Sequence, residues 1–134
     1  MQGEKGEVPA HSIAVSAQTQ YLPEQSDEAA GRFVFAYTIT IRNSGTVAAQ
    51  LVSRHWIITD AQGLVQEVRG LGVVGAQPLL QPGESFEYTS ASPLTTPSGI
   101  MVGTYQMETS AGERFDAAIP AFSLDSPHQP VRLN

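Results

Sequence analysis

The chain has 134 residues, no cysteine and a formal net charge of −6, and its length fits a single domain. The absence of cysteine excludes disulfide scaffolds, thiolate nucleophiles, iron–sulfur clusters and cysteine-based zinc sites. Lys5 is the only lysine and the arginines are scattered singly, so we expect neither a nucleic acid nor a membrane as partner. No apolar run approaches the ~18 residues of a membrane-spanning helix. The polar segment 1–12 has no apolar signal-peptide core, which predicts a cytoplasmic protein.

Three zones follow one another along the chain. Residues 1–12 are predicted to be a mobile leader, residues 13–124 a single domain, and residues 125–134 an extended tail. Within the domain, apolar residues recur with a period of two almost everywhere, which is typical of β-strands. The clearest strand is predicted over 32–42, because one of its faces is apolar throughout and the other is uncharged. The residues predicted to face the core are Phe33, Phe35, Tyr37, Ile39 and Ile41.

The remaining strands have turn signals between them. The turn at 60–63 is predicted to join two strands of a hairpin, and the turn at 110–113 to join two more. No segment of helical length carries a 3.6-residue apolar stripe. The pattern therefore favours an all-β, antiparallel β-sandwich of the immunoglobulin or fibronectin type III kind, with a closed barrel as the alternative. The other predicted strands are 13–21, 50–59, 64–68, 85–90, 100–108 and 114–122.

A glycine motif, G-x-G-x-x-G, spans residues 70–75. In dinucleotide-binding proteins this motif needs a strand before it and a helix after it, and Pro78 disfavours that helix. Two interpretations stay open. The segment is an irregular crossing between two sheets, or it is an anion nest that binds a nucleotide or pyrophosphate. The residues of that candidate site are Arg69, Gly70, Gly72 and Gly75.

No catalytic residues, metal ligands or cofactor are predicted. His11 and His128 lie near the two ends of the chain, and His55 lies in a predicted strand whose alternation places Arg54 and Trp56 on the opposite face. Both faces of that strand mix polar and apolar residues, so its burial stays open. Asp60 is expected to bond its own backbone in a turn, and the acidic residues at 24–28 are expected to form a solvated loop.

Several blocks of sequence, taken in order, are similar to the ApaG family, also called CorD. They are RHWIITD at 54–60, VRGLGVVGAQP at 68–78, LQPGESFEYTS at 80–90, GIMVGTYQM at 99–107 and IPAFSL at 119–124. The resemblance implies a fibronectin type III-type sandwich and a small bacterial protein genetically associated with cobalt and magnesium handling and encoded near a diadenosine tetraphosphate hydrolase. Similar domains in animals and plants are fused to F-box and other adaptor proteins. The family offers no catalytic residue to transfer.

Three functions follow from these observations. The first is a non-enzymatic protein–protein interaction module that binds an unidentified protein partner through its sheet edges and loops. The alternative is a small-molecule binder that holds a nucleotide or pyrophosphate at residues 70–75. The weakest is direct action on divalent ions, because the ligand set is missing. Homodimerisation through an uncovered sheet edge stays open.

Overall fold

The computed structural model describes residues 10–127, which form two antiparallel sheets. The strands are β1 (Ile13–Tyr21), β2 (Phe33–Asn43), β3 (Ala49–Asp60), β4 (Val65–Leu71), β5 (Leu79–Leu80), β6 (Ser85–Leu94), β7 (Ser98–Thr109) and β8 (Arg114–Asp125). The small sheet has the order β1-β2-β6, and the large sheet has the order β4-β3-β7-β8 with β5 paired to β3. The two sheets pack face to face, which confirms the predicted immunoglobulin- or fibronectin type III-like sandwich rather than a closed barrel.

The core lies between the inward faces of the two sheets. The apolar face predicted for the segment 32–42 is buried along its whole length, with exposures between 0% and 8%. Val34, on the other face of β2, is buried as well, because the segment after β1 folds across it and the Ser26 hydroxyl accepts a hydrogen bond from the Val34 N–H. From the large sheet, Trp56, Tyr105 and Ile119 complete the core.

A β-bulge locally changes the register of the large sheet. The pairing of β7 with β8 shifts between Met101 and Gly103, opposite Pro120, which has no N–H to give to the ladder. Gly103 is also a point of close approach, because a Cβ there would clash with the backbone carbonyl of His55 and touch the Trp56 ring. The glycine therefore lets β7 lie directly against the strand that carries Trp56.

Ordered contacts extend slightly beyond both predicted domain boundaries. The His11 ring stacks on the Phe115 ring with 4.5 Å between centroids, and β8 continues to Asp125. The other parts of the predicted leader and tail, 1–9 and 128–134, lie outside the described residues, and so does His128. Between residues 10 and 127 there is no helix long and apolar enough to cross a membrane.

Candidate functional site

The two sides of the sandwich differ. On one side β1 packs against β8, whereas on the other side β4 and β6 do not pair and leave a cleft of about 340 Å³ between the sheets. We call this space the inter-sheet cleft. Its lining residues are Tyr37, Arg54, Trp56, Ile58, Gln66, Val68, Val73, Val74, Tyr88, Ser90, Ala91, Ser92, Pro93 and Met101.

Small side chains keep the cleft open. Alternation points Val68 and Gly70 of β4 inward, and Ser90 and Ser92 of β6 inward from the other sheet. Neither strand offers a large apolar side chain at these positions. The two sheets therefore cannot fill the space between these edges, as larger side chains do elsewhere in the core.

Arg54 is the charged residue of the cleft, and it holds the start of the glycine segment. Its Nη1 donates hydrogen bonds to the carbonyl oxygens of Leu71, at 2.9 Å, and Gly72, at 2.8 Å. The guanidinium lies directly over Gly70, where a Cβ would come within 2.8 Å of Nη2. The Arg54 guanidinium therefore fills the space that a side chain at position 70 would need, and glycine leaves that space free.

The rest of the glycine motif forms a tight turn. The backbones of Val73 and Ala76 exchange two hydrogen bonds of 2.8 Å, and the residues between them, Val74 and Gly75, have φ values of +41° and +82°. Positive φ at both central positions is the signature of a type I′ turn. Gly72 has φ +63°, and a Cβ there would clash with the Ala76 carbonyl oxygen. The expectation that Pro78 would prevent a helix after the motif is confirmed, because β5 follows instead.

The backbone amides of the turn are largely engaged. The Gly72 N–H donates to the Val52 carbonyl oxygen at 2.9 Å, and the N–H groups of Val73 and Ala76 donate to each other's carbonyl oxygens. A phosphate nest depends on several free N–H groups that converge on one point. These three N–H groups are directed to protein oxygens.

The residues of the predicted anion site lie on different parts of the surface. Arg69 points to the outer face of the large sheet, opposite to Arg54, and its side chain is 71% exposed with Nη2 at 3.4 Å from Glu67 Oε1. Arg69 and Gly70 line a shallow depression on that face, whereas Gly72 and Gly75 belong to the turn. Nucleotide or pyrophosphate binding by these four residues stays a prediction.

His55 also lies on the outer face of the large sheet. The structure thereby shows which face of its strand is buried. Arg54, Trp56 and Ile58 face inward, and His55 faces outward, where its Nε2 lies 2.8 Å from Glu67 Oε1. The hydrogen bond from His55 lowers the pKa of the Glu67 carboxyl below its ordinary value, and the charges of His55 and Arg69 act in the same direction.

Aromatic residues form the floor of the cleft. Trp56 is 2% exposed, and its ring makes edge-on contacts with Tyr37, Tyr105 and Phe122. Its Nε1 has no hydrogen-bond partner among the described residues. Beside it, the hydroxyls of Tyr88 and Tyr105 lie 2.6 Å apart. Burial raises the pKa of Tyr88 to about 12 and also raises the pKa of Tyr105 above its ordinary value, so both phenols are neutral at physiological pH.

The acidic residues at 24–28 are exposed as expected, but two short 3-10 helices, Pro23–Gln25 and Glu28–Ala30, order that segment, and the Tyr21 hydroxyl donates to Glu28 Oε2 at 2.8 Å. The Asp60 carboxylate accepts hydrogen bonds from the N–H groups of Gln62, at 2.8 Å, and Leu64, at 3.0 Å, which confirms its role in the turn. Within residues 10–127, no three His, Asp or Glu side chains come close enough together to hold a metal ion.

Exposed apolar side chains gather along one edge of the large sheet. Six large hydrophobic side chains are exposed in the part of the chain that the structure describes, and five of them lie within residues 64–79. We call this segment the β4 edge. Its exposed residues are Leu64 (67%), Val65 (60%), Leu71 (74%), Val74 (59%) and Leu79 (53%), and the sixth, Ile100 (51%), lies on β7. The sequence alone did not reveal this edge, because alternation does not show which face of a strand is covered.

Together these features define a fibronectin type III-like sandwich with one open side bordered by an apolar edge. The family model for the ApaG domain matches residues 23–109, and the chain belongs to the ApaG family. It is 63% identical over 117 residues to the ApaG protein of Thiobacillus denitrificans, covering 87% of this chain and 92% of that protein. It is 64% identical, with the same coverage, to the ApaG protein of Dechloromonas aromatica.

A solved structure shows the same fold. The crystal structure of a Bordetella pertussis protein described as ApaA matches with a TM-score of 0.87 and 53% sequence identity, covering 91% of this chain and 99% of that one. Identity at this level extends the likeness from the architecture to most of the sequence.

Proposed function

We propose that this ApaG protein is a non-enzymatic module that binds a protein partner along the β4 edge. The observation that carries the proposal is the concentration of exposed large hydrophobic side chains in residues 64–79. Singly scattered surface apolar residues need no explanation, but five within one segment at a sheet edge favour an interaction surface.

Val74 supports this proposal independently. A β-branched residue with φ +41° is strained, and the neighbouring position of the same turn is a glycine that relieves such strain. The Val74 side chain is 59% exposed, so burial in the core does not compensate for that strain. Strained residues cluster at functional sites, so the strain at Val74 supports a partner contact there.

The backbone of β4 suggests how the partner binds. β4 is the outermost strand of the large sheet, so an extended segment of a partner can add to it as a further strand. Val65 and Leu71, at the two ends of β4, would then contact alternate side chains of that segment. Glu67 and Arg69 lie between them and would fix its register through charge.

The finer expectations from the sequence belong to the same proposal. A cytoplasmic location and an indirect link to cobalt and magnesium handling, exerted through the partner, are compatible with such a module. A second copy of the chain is one candidate partner, and analytical ultracentrifugation would identify it. A nucleotide or pyrophosphate held at residues 70–75, with Arg69 beside them, is the alternative, and it predicts that both Arg69→Ala and Gly72→Val abolish nucleotide binding.

A photo-crosslinking residue placed at Leu71, with the same residue at Ile100 as the matched control, tests the proposal. Both positions are exposed and apolar, but Ile100 lies on β7 inside the sheet. We expect a specific adduct from position 71 and none from position 100. The partner so identified, once purified, should bind the Leu71→Lys variant about tenfold or more weakly and the Ile100→Lys variant normally. Equal adducts from both positions, or unchanged affinity for Leu71→Lys, would contradict the proposal.

A further inference from the structure

The inter-sheet cleft contains a positive charge that no acidic side chain balances. Of the described residues that line it, only Arg54 is charged, in a chain whose net charge is −6. Nη1 of Arg54 is engaged by two backbone carbonyl oxygens, but Nε and Nη2 have no acceptor within residues 10–127. A partly buried guanidinium whose remaining N–H groups have no protein acceptor favours an anionic ligand.

The surroundings of Arg54 supply further donors and apolar walls. Trp56, which is 2% exposed, lines the cleft beside Arg54. Ser90 and Ser92 add hydroxyls from the facing sheet, while the Tyr37 ring and Met101 supply apolar surface. One cation, two serine hydroxyls and apolar walls together match a molecule with one negative group and a hydrophobic body.

We propose that the inter-sheet cleft binds the carboxylate of a small apolar molecule, with Arg54 as its ion-pair partner. The site faces the space between the sheets and does not depend on the proposed protein partner, although Gln66, Val68, Val73 and Val74 of the β4 edge also line it. A carboxylate fits better than a phosphate, because one guanidinium balances one negative charge and the nearby amides of Gly72, Val73 and Ala76 are already bonded. A volume of about 340 Å³ lies within the range of small-molecule sites.

Trp56 provides a direct readout, because it is the only tryptophan of the chain and lines the cleft. We would titrate the full chain with hexanoate and 3-phenylpropionate and follow the tryptophan fluorescence. The neutral 3-phenylpropionamide tests the need for charge, and pyrophosphate tests whether a phosphate serves equally well. We expect saturable changes with the two carboxylates and none with the amide or pyrophosphate.

Three variants locate the site. Arg54→Gln removes the cleft charge and should weaken 3-phenylpropionate binding about tenfold or more. Arg69→Gln is the matched control, since it removes the same charge from the outer face and should leave affinity within about twofold. Ser90→Asp introduces a carboxylate into the cleft without touching the Arg54 hydrogen bonds, and should weaken binding as Arg54→Gln does. Thermal unfolding of each variant shows whether it is folded. If Arg54→Gln does not fold, the affinity of Ser90→Asp for 3-phenylpropionate tests the site.

Several results would overturn the inference. Equal binding of the amide would show that charge is not recognised, and tighter binding of pyrophosphate would assign the cleft to phosphates. Loss of binding in Arg69→Gln, with normal binding in folded Ser90→Asp, would move the site to the outer face. No saturable change with either carboxylate would also reject the site, but would leave the proposed role of the β4 edge intact.

Discussion

The same two sheets form a closed side, where β1 packs against β8, and an open side, where the inter-sheet cleft separates β4 from β6. On the closed side, Val15 of β1 and Phe115 of β8 pack against the core, and the His11 ring covers Phe115. On the open side, Val68 and Tyr88 face inward, but other inward positions of β4 and β6 carry the small Gly70 and Ser90. The size and polarity of a few inward side chains therefore decide which side is sealed and which side keeps a cleft.

The two sides also contribute differently to folding stability and to binding. Apolar area buried on the closed side contributes to folding directly. On the open side, apolar side chains of the β4 edge are left in water, and a charged guanidinium faces the cleft. Such features do not contribute to folding in the same way, which is why we assign them to partner and ligand contacts.

The largest expected effect comes from comparing two variants that remove apolar volume, one on the closed side and one on the open side. Ile119→Ala deletes a side chain that is 1% exposed in β8 and should lower the free energy of unfolding by about 3 kcal/mol. Val68→Ala, at the partly buried edge of the cleft, should cost only about 1 kcal/mol. Urea unfolding measures both. Equal losses would mean that the open side is packed as tightly as the closed one.

A smaller effect is expected within the glycine motif of the open side. Gly72→Ala should lower the free energy of unfolding by about 2 kcal/mol, because the new Cβ clashes with the Ala76 carbonyl oxygen at a positive φ. Gly75 also has a positive φ, but no atom lies within 4 Å of a Cβ placed there. Gly75→Ala should therefore lower the free energy of unfolding by only about 1 kcal/mol. The same unfolding experiment compares them. The reverse order would contradict the packing described for the turn.

The smallest effect concerns the tyrosine pair at the floor of the cleft. Burial raises the pKa of Tyr88 to about 12, so the stability from its neutral form is fully present below pH 10 and is lost as pH rises toward 12. We expect Tyr88 to account for a loss of about 1 kcal/mol between pH 10 and pH 11. Tyr88→Phe should flatten this decline in urea unfolding. Identical slopes for the two proteins would show that Tyr88 ionises as freely as an exposed phenol.

Local pattern predicted seven of the eight strands, but neither the short β5 nor the cleft. The alternation over 32–42 identified the buried face of β2 correctly, because a central strand with one continuous apolar face has few alternatives. The distance between β4 and β6 depends on pairing between segments far apart in sequence, which no local pattern records. Arg54 illustrates the limit: its position beside Trp56 was readable, but its contact with the carbonyls of the glycine segment was not.

The central claim is that the open side carries the protein-binding edge. The most direct measurement is a backbone amide NMR titration of the full chain with the purified partner identified by crosslinking. We predict that the largest shift changes fall in β4 and in the turn that contains Val74, with β1 and β8 nearly unchanged. Shift changes centred on β1 and β8, with β4 unaffected, would contradict the claim.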